Sequence, residues 1–146
     1  MKMMALMGIF LMISSCAQKN DPVQTLTKFV NYRFSSGQTK ERILEMTSGN
    51  FHQSILQMSD DAFESFSQMQ VKKKYFKILK AQCTGQKCSI SYIIKYDRFN
   101  GDEKSFIVET KKMATVENID GVWKIADITN IKEFHEPTSP IKIQEK

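Results

Sequence analysis

Between residues 88 and 96 the chain alternates. Cys88, Ile90, Tyr92, Ile94 and Tyr96 are interleaved with Ser89, Ser91, Ile93 and Lys95. A two-residue period sends successive side chains to opposite faces, so this segment is predicted to be a strand with one face against a core. It needs neighbours, and turn residues supply them. Residues 75–83 form the partner across Thr84-Gly85-Gln86-Lys87, and Asn100-Gly101-Asp102 marks the next reversal. Residues 104–118 read as a long strand with a bend near Lys111-Lys112, and Asp120-Gly121 is a two-residue hairpin turn. Val122 to about Phe134 closes the sheet. Strands joined by such short turns pair antiparallel, in sequence order.

The chain before the sheet has a different period. Asp21-Pro22 combines an N-capping acid with proline at the first helical position. Val23, Leu26, Phe29, Val30 and Phe34 then recur at helical spacing, and Gly37 is the expected stop. A second helix is predicted over 39–48, with Ile43, Leu44 and Met46 apolar and Gly49 as its stop. The stretch 50–58 is ambiguous between loop and a helical turn. Ser59-Asp60-Asp61 opens a third helix carrying Phe63, Phe66 and Met69, its acids complementing the helix dipole. The prediction is therefore one α+β domain over 22–134, helices first and then a four-stranded antiparallel sheet, with a loose tail over 135–146.

The 146 residues suffice for one core. The formal charge is +5, from 21 basic and 16 acidic side chains. The basic residues are scattered apart from Lys72-Lys73-Lys74, which argues against a nucleic-acid stripe. Together with Lys77 and Lys80, that run is a candidate contact for anionic lipid headgroups.

An apolar run from Met3 to Ile13 follows Lys2 and ends at Ser14-Ser15-Cys16. A membrane-spanning helix needs about 20 residues, so the run suits the apolar core of a signal peptide. Ile13-Ser14-Ser15-Cys16 resembles the bacterial lipobox. The resemblance implies a signal peptide over 1–15, diacylglycerol on the Cys16 thiol, and membrane attachment through that lipid. Ala17, in place of aspartate, implies the outer membrane in a Gram-negative host. Residues 16–21 would be a tether of at most about 17 Å.

An exported chain meets oxidising conditions. Cys83 and Cys88 flank the first hairpin turn, so a disulfide is expected there, with free thiols or a metal pair as alternatives. His52 and His135 show no ligand spacing to these cysteines, and no metal is expected.

The order of elements, with Asp120-Gly121-Val122-Trp123-Lys124-Ile125-Ala126-Asp127-Ile128 in the last hairpin, resembles the nuclear transport factor two-like superfamily across 22–134. That resemblance implies a curved, cone-shaped sheet with a pocket between sheet and helices. The superfamily contains isomerases, dehydratases and non-catalytic domains, so the fold leaves the activity open. It places a pocket-lining polar residue four positions after the tryptophan, here Asp127. With Trp123, Ile125, Asp127 and Thr129 on one strand face, a buried Asp127 would be a general base, and Tyr32 and Tyr92 would be hydrogen-bond donors to an oxyanion.

The expected function is a lipid-anchored envelope protein without catalysis, binding a protein partner or a small ligand and needing no cofactor. The alternative is an isomerase- or dehydratase-like enzyme with Asp127 as base. No Ser-His-Asp set, phosphate loop or metal cluster points to another reaction.

Overall fold

The Asp21 carboxylate accepts from the Gln24 backbone N–H at 2.8 Å, and helix α1 runs Pro22–Arg33 from that cap. This is a computed structural model, and it describes residues 21–68 and 70–138. The expected signal peptide, Cys16, the tether, Met69 and the tail beyond Thr138 lie outside those residues.

Helix α1 stops at Arg33, four residues before Gly37, which adopts a positive φ in the following loop. Helix α2 spans Lys40–Met46, capped by the Thr39 hydroxyl accepting from Arg42 N–H at 3.2 Å. The ambiguous stretch forms a helix of its own, α3, over Gly49–Leu56. Gly49 therefore opens a helix instead of closing one. Helix α4 spans Asp60–Ser67, with Ser59 Oγ accepting from Ala62 N–H at 3.2 Å. Among the described residues, no helix is long and apolar enough to cross a membrane.

The strands are β1 Val71–Thr84, β2 Lys87–Asn100, β3 Glu103–Ile119 and β4 Val122–Pro137, antiparallel in the order β1-β2-β3-β4. The protein is thus α+β, with its helices on one face of a four-stranded sheet. Asp120 and Gly121 turn the last hairpin with φ of 51° and 85°, as a two-residue turn between twisted strands requires. Cys83 and Cys88 stand directly opposite each other and are joined by a disulfide across a Cα–Cα distance of 4.0 Å. The turn between them is tighter than expected, because Thr84 and Lys87 also pair.

The tail prediction is corrected at its start. His135, Glu136 and Pro137 belong to β4, opposite Val108, Ile107 and Phe106. Pro137 lacks an N–H, which is tolerated on an edge strand. The Thr138 hydroxyl donates to the carbonyls of Lys104 and Ser105.

The inner face carries Cys88, Ile90, Tyr92 and Ile94 from β2, Val108, Thr110, Ala114 and Val116 from β3, and Ile125 from β4, all buried. Leu26, Phe29 and Val30 of α1, Ile43 of α2 and Ile55 of α3 meet them in the core.

Two β-bulges interrupt β4. Val116 faces Ile125 but Thr115 faces Asp127, so Ala126 is an extra residue. Lys112 faces Asn130 but Lys111 faces Lys132, so Ile131 is another. Each extra residue reverses the alternation that follows it. The first bulge is held by the junction between α2 and α3: Thr47 bridges to Ile125, and Ser48 N–H donates to the Ile125 carbonyl at 2.8 Å.

Candidate functional site: a cationic, aromatic-walled cavity

A cavity of about 480 Å³ lies between the helices and the inner sheet face. Phe29, Val30 and Arg33 come from α1, Phe51 from α3, and Ser65 and Phe66 from α4. The sheet supplies Tyr92 and Arg98 from β2, Lys112 from β3, and Ile128 and Asn130 from β4. Its size falls in the range of small-molecule sites, as does its mixture of apolar wall and a few polar groups.

The helical period explains Arg33. It lies seven residues after Leu26 and three after Val30, on the apolar stripe of α1, so the packing of that stripe carries it inward. Only 9% of its surface is exposed. Its guanidinium lies 3.6 Å from the centre of the Phe66 ring and donates from Nη2 to the Phe66 carbonyl at 3.1 Å. Nη1 donates to Gln38 Oε1, and Gln38 Nε2 donates back to the Arg33 carbonyl at 3.0 Å and to the Ser67 carbonyl at 3.3 Å. These contacts tie the end of α1 to α4. Burial lowers the Arg33 pKa to about 10, with Tyr32 acting in the opposite direction, so the group remains a cation at neutral pH.

Lys112 lies on the inner face of β3, between Tyr92 on β2 and Asn130 on β4. Burial pushes its ammonium below the ordinary value; Glu133 acts to raise it and Arg33 to lower it. Glu133 makes its own contacts elsewhere, accepting from the Thr110 hydroxyl at 3.4 Å and lying 2.5 Å from His135 Nε2. Among the described residues, no carboxylate oxygen lies within 4.0 Å of a charged nitrogen of Arg33, Arg98 or Lys112. Buried cations are ordinarily paired, because desolvation is otherwise uncompensated.

Tyr92 is 2% exposed, and burial raises its phenol far above the ordinary tyrosine value, keeping it protonated. It packs against Phe76 with ring centres 5.4 Å apart, and Phe29 meets Phe51 edge-on at 5.7 Å. The cavity thus offers aromatic walls, protonated donors and cations.

Of the site residues proposed from the sequence, Tyr32, Tyr92, Trp123 and Asp127, only Tyr92 lines this cavity. The assignment of Asp127 to the face of Trp123 and Ile125 is corrected. The Ala126 bulge reverses the alternation, so Ile128 and Asn130 turn inward while Asp127 turns outward. Asp127 is exposed, with its Oδ2 accepting from the Thr129 hydroxyl at 3.3 Å. It is neither enclosed nor on the face that carries Trp123 and Ile125. Tyr32 is also displaced: its hydroxyl accepts from Thr39 N–H at 2.8 Å, and it borders a separate surface depression with Lys28 and Arg42. Trp123 is half-buried and packs on the core, not on the cavity. His52 is engaged locally, with Nδ1 3.3 Å from Thr47 Oγ1 and 3.2 Å from the Leu44 carbonyl. Among the described residues, no group of three or more His, Cys, Asp or Glu is arranged to hold a metal ion.

Sequence reasoning missed Arg33 and Lys112, although both break an apolar pattern. Lys112 interrupts Val108, Thr110, Ala114 and Val116, and Arg33 interrupts the stripe of α1. Comparisons with protein-family models, curated proteins and solved structures found no match to the chain.

Proposed function

We propose that this domain binds a small organic anion with an apolar or aromatic body, without transforming it, and that it does so as a lipid-anchored protein of the bacterial envelope. The observation that carries the binding reading is the convergence of Arg33 and Lys112 on an aromatic-walled cavity with, among the described residues, no carboxylate paired to either. An anionic head between them would complete the charge, and Tyr92 and Asn130 would donate hydrogen bonds to it. The rings of Phe29, Phe51 and Phe66 would cover the body. The helices-then-sheet order supports the likeness to the nuclear transport factor two-like cone, in which a pocket occupies this place. The outward Asp127 removes the base that the isomerase-like alternative required.

Calorimetric titration with decanoate and 3-phenylpropionate, each against its neutral amide, tests the cavity. The acids should bind at least tenfold tighter than the amides, and Lys112→Gln should remove most of that difference. Equal binding of acid and amide would refute the reading. Anchoring rests separately on Ile13-Ser14-Ser15-Cys16: Cys16→Ser should abolish fatty-acid labelling and leave the precursor uncut. A variant still labelled and processed would refute it.

A further inference from the structure

The geometry points to the outer face of the sheet as a surface that docks on an anionic lipid bilayer. The register places Lys77, Ile93, Lys111 and Lys132 in one row across the four strands. The next row contains Lys80, Ser91, Met113 and Thr129. Lys111 and Lys132 are directly opposed on neighbouring strands, and like charges so placed repel each other. Asp127 and Glu136 also lie on this face, Asp127 accepting from the Thr129 hydroxyl at 3.3 Å, but among the described residues no acid of the face lies within 4.0 Å of these lysines. Glu109 accepts from the Tyr75 hydroxyl and lies 4.0 Å from Lys95, Glu117 is 2.8 Å from Lys87, and Asp97 holds Lys74 and Lys104. Lys77, Lys80, Lys111 and Lys132 have no carboxylate within 4.0 Å among the described residues.

The lysines are mixed with exposed apolar side chains. Met113 and Phe134 are 42% and 54% exposed, and Leu79 and Ile131, each at a strand irregularity, are also open to solvent. Lys132 lies over the Phe134 ring at 4.5 Å. A phosphate-backbone partner would use the cations and leave these apolar groups idle. A bilayer interface uses both, because the cations meet headgroup phosphates while methyl groups and rings enter the acyl boundary. The lysines first read from the sequence are redistributed: Lys73 bonds Asn31 and Lys74 pairs with Asp97, whereas Lys111 and Lys132 join the surface.

The full chain, mixed with vesicles of phosphatidylcholine alone or with added phosphatidylglycerol, tests this directly. Its N-terminal segment contributes equally to wild type and variant, so their difference isolates the sheet. The Lys77→Gln, Lys111→Gln, Lys132→Gln triple variant should bind the anionic vesicles about a hundredfold more weakly, the loss expected for three lysines at an anionic surface. Circular dichroism should be unchanged, since all three side chains are exposed. Anionic vesicles should also slow peroxide oxidation of Met113 in the wild type, and neutral vesicles should not. Equal binding by wild type and variant would overturn the proposal, as would Met113 oxidation indifferent to phosphatidylglycerol. Protection of Met113 by poly-glutamate, but not by vesicles, would also overturn it by making the partner an acidic polypeptide.

Discussion

Substituting Gly49 by alanine tests how the helices are locked to the sheet. Gly49 has φ of +56°, a left-handed conformation that costs an L-residue about 1–2 kcal/mol. An added Cβ would also lie 3.3 Å from the Ala126 carbonyl oxygen and 3.5 Å from the Ala126 Cβ. That oxygen belongs to the first β4 bulge, whose neighbouring residue Ile125 is bridged to Thr47 and bonded to Ser48, so it cannot easily retreat. Gly37 is the internal control: its φ is +72°, and a Cβ there would meet nothing within 4 Å. Gly37→Ala should therefore show only the conformational cost, about 1 kcal/mol. Gly49→Ala should add an overpacking cost of about 1 kcal/mol or more, for a total of about 2–3 kcal/mol. Urea denaturation followed by fluorescence of Trp123, the one tryptophan, measures both. Equal losses in the two variants would refute the claim that the helix junction is seated against the bulge.

Lys112→Met should stabilise the ligand-free domain by about 1 kcal/mol, by replacing a half-buried cation that has no carboxylate partner among the described residues with an apolar chain of similar length. Because the folded-state pKa of Lys112 is lowered, its penalty is full at neutral pH and fades as pH rises toward the unfolded value near 10.4; the advantage of methionine in thermal melts should shrink over the same range. The double Cys83→Ser, Cys88→Ser variant should fold and lose about 2 kcal/mol in chemical denaturation, because the bridge closes a short loop. Asp127→Asn should shift the denaturation midpoint by no more than a few tenths of a kcal/mol and leave binding of the apolar acids intact, as expected for an exposed residue; a tenfold loss of binding would return Asp127 to the site.

The elements with a strong local signature were legible. Asp21-Pro22 started a helix, the alternation from Cys88 to Tyr96 gave β2, Asp120-Gly121 gave the last turn, and the Cys83–Cys88 pairing followed from the first hairpin. Helix α3 was not, because a glycine after an apolar run reads as a stop, whereas Gly49 uses its positive φ to begin a helix against β4. The Ala126 bulge left no mark in the composition of β4, since what selects it is the docking of Thr47 and Ser48 on Ile125. The cavity was hidden for a related reason. Its cations occupy positions that the apolar pattern assigns to the core, and their lack of acidic partners among the described residues is a property of space, not of spacing.

The two bulges of β4 together behave like a pair of frameshifts that cancel. Up to Ile125 the odd-numbered residues face the helices; between Ala126 and Ile131 the even-numbered ones do; from Lys132 onward the odd-numbered ones do again. Only residues 127–130 are read in the inverted frame, which is why Ile128 and Asn130 reach the cavity in place of Asp127 and Thr129. Flattening both bulges with the sequence unchanged would run one frame throughout and turn Asp127 and Thr129 inward in place of Ile128 and Asn130, with the faces of the flanking strand unchanged. An anion site would acquire an acid in the process. The strand thus holds two alternative pocket chemistries in one stretch of sequence, and which of them is expressed depends on whether Ala126 and Ile131 stand outside the ladder.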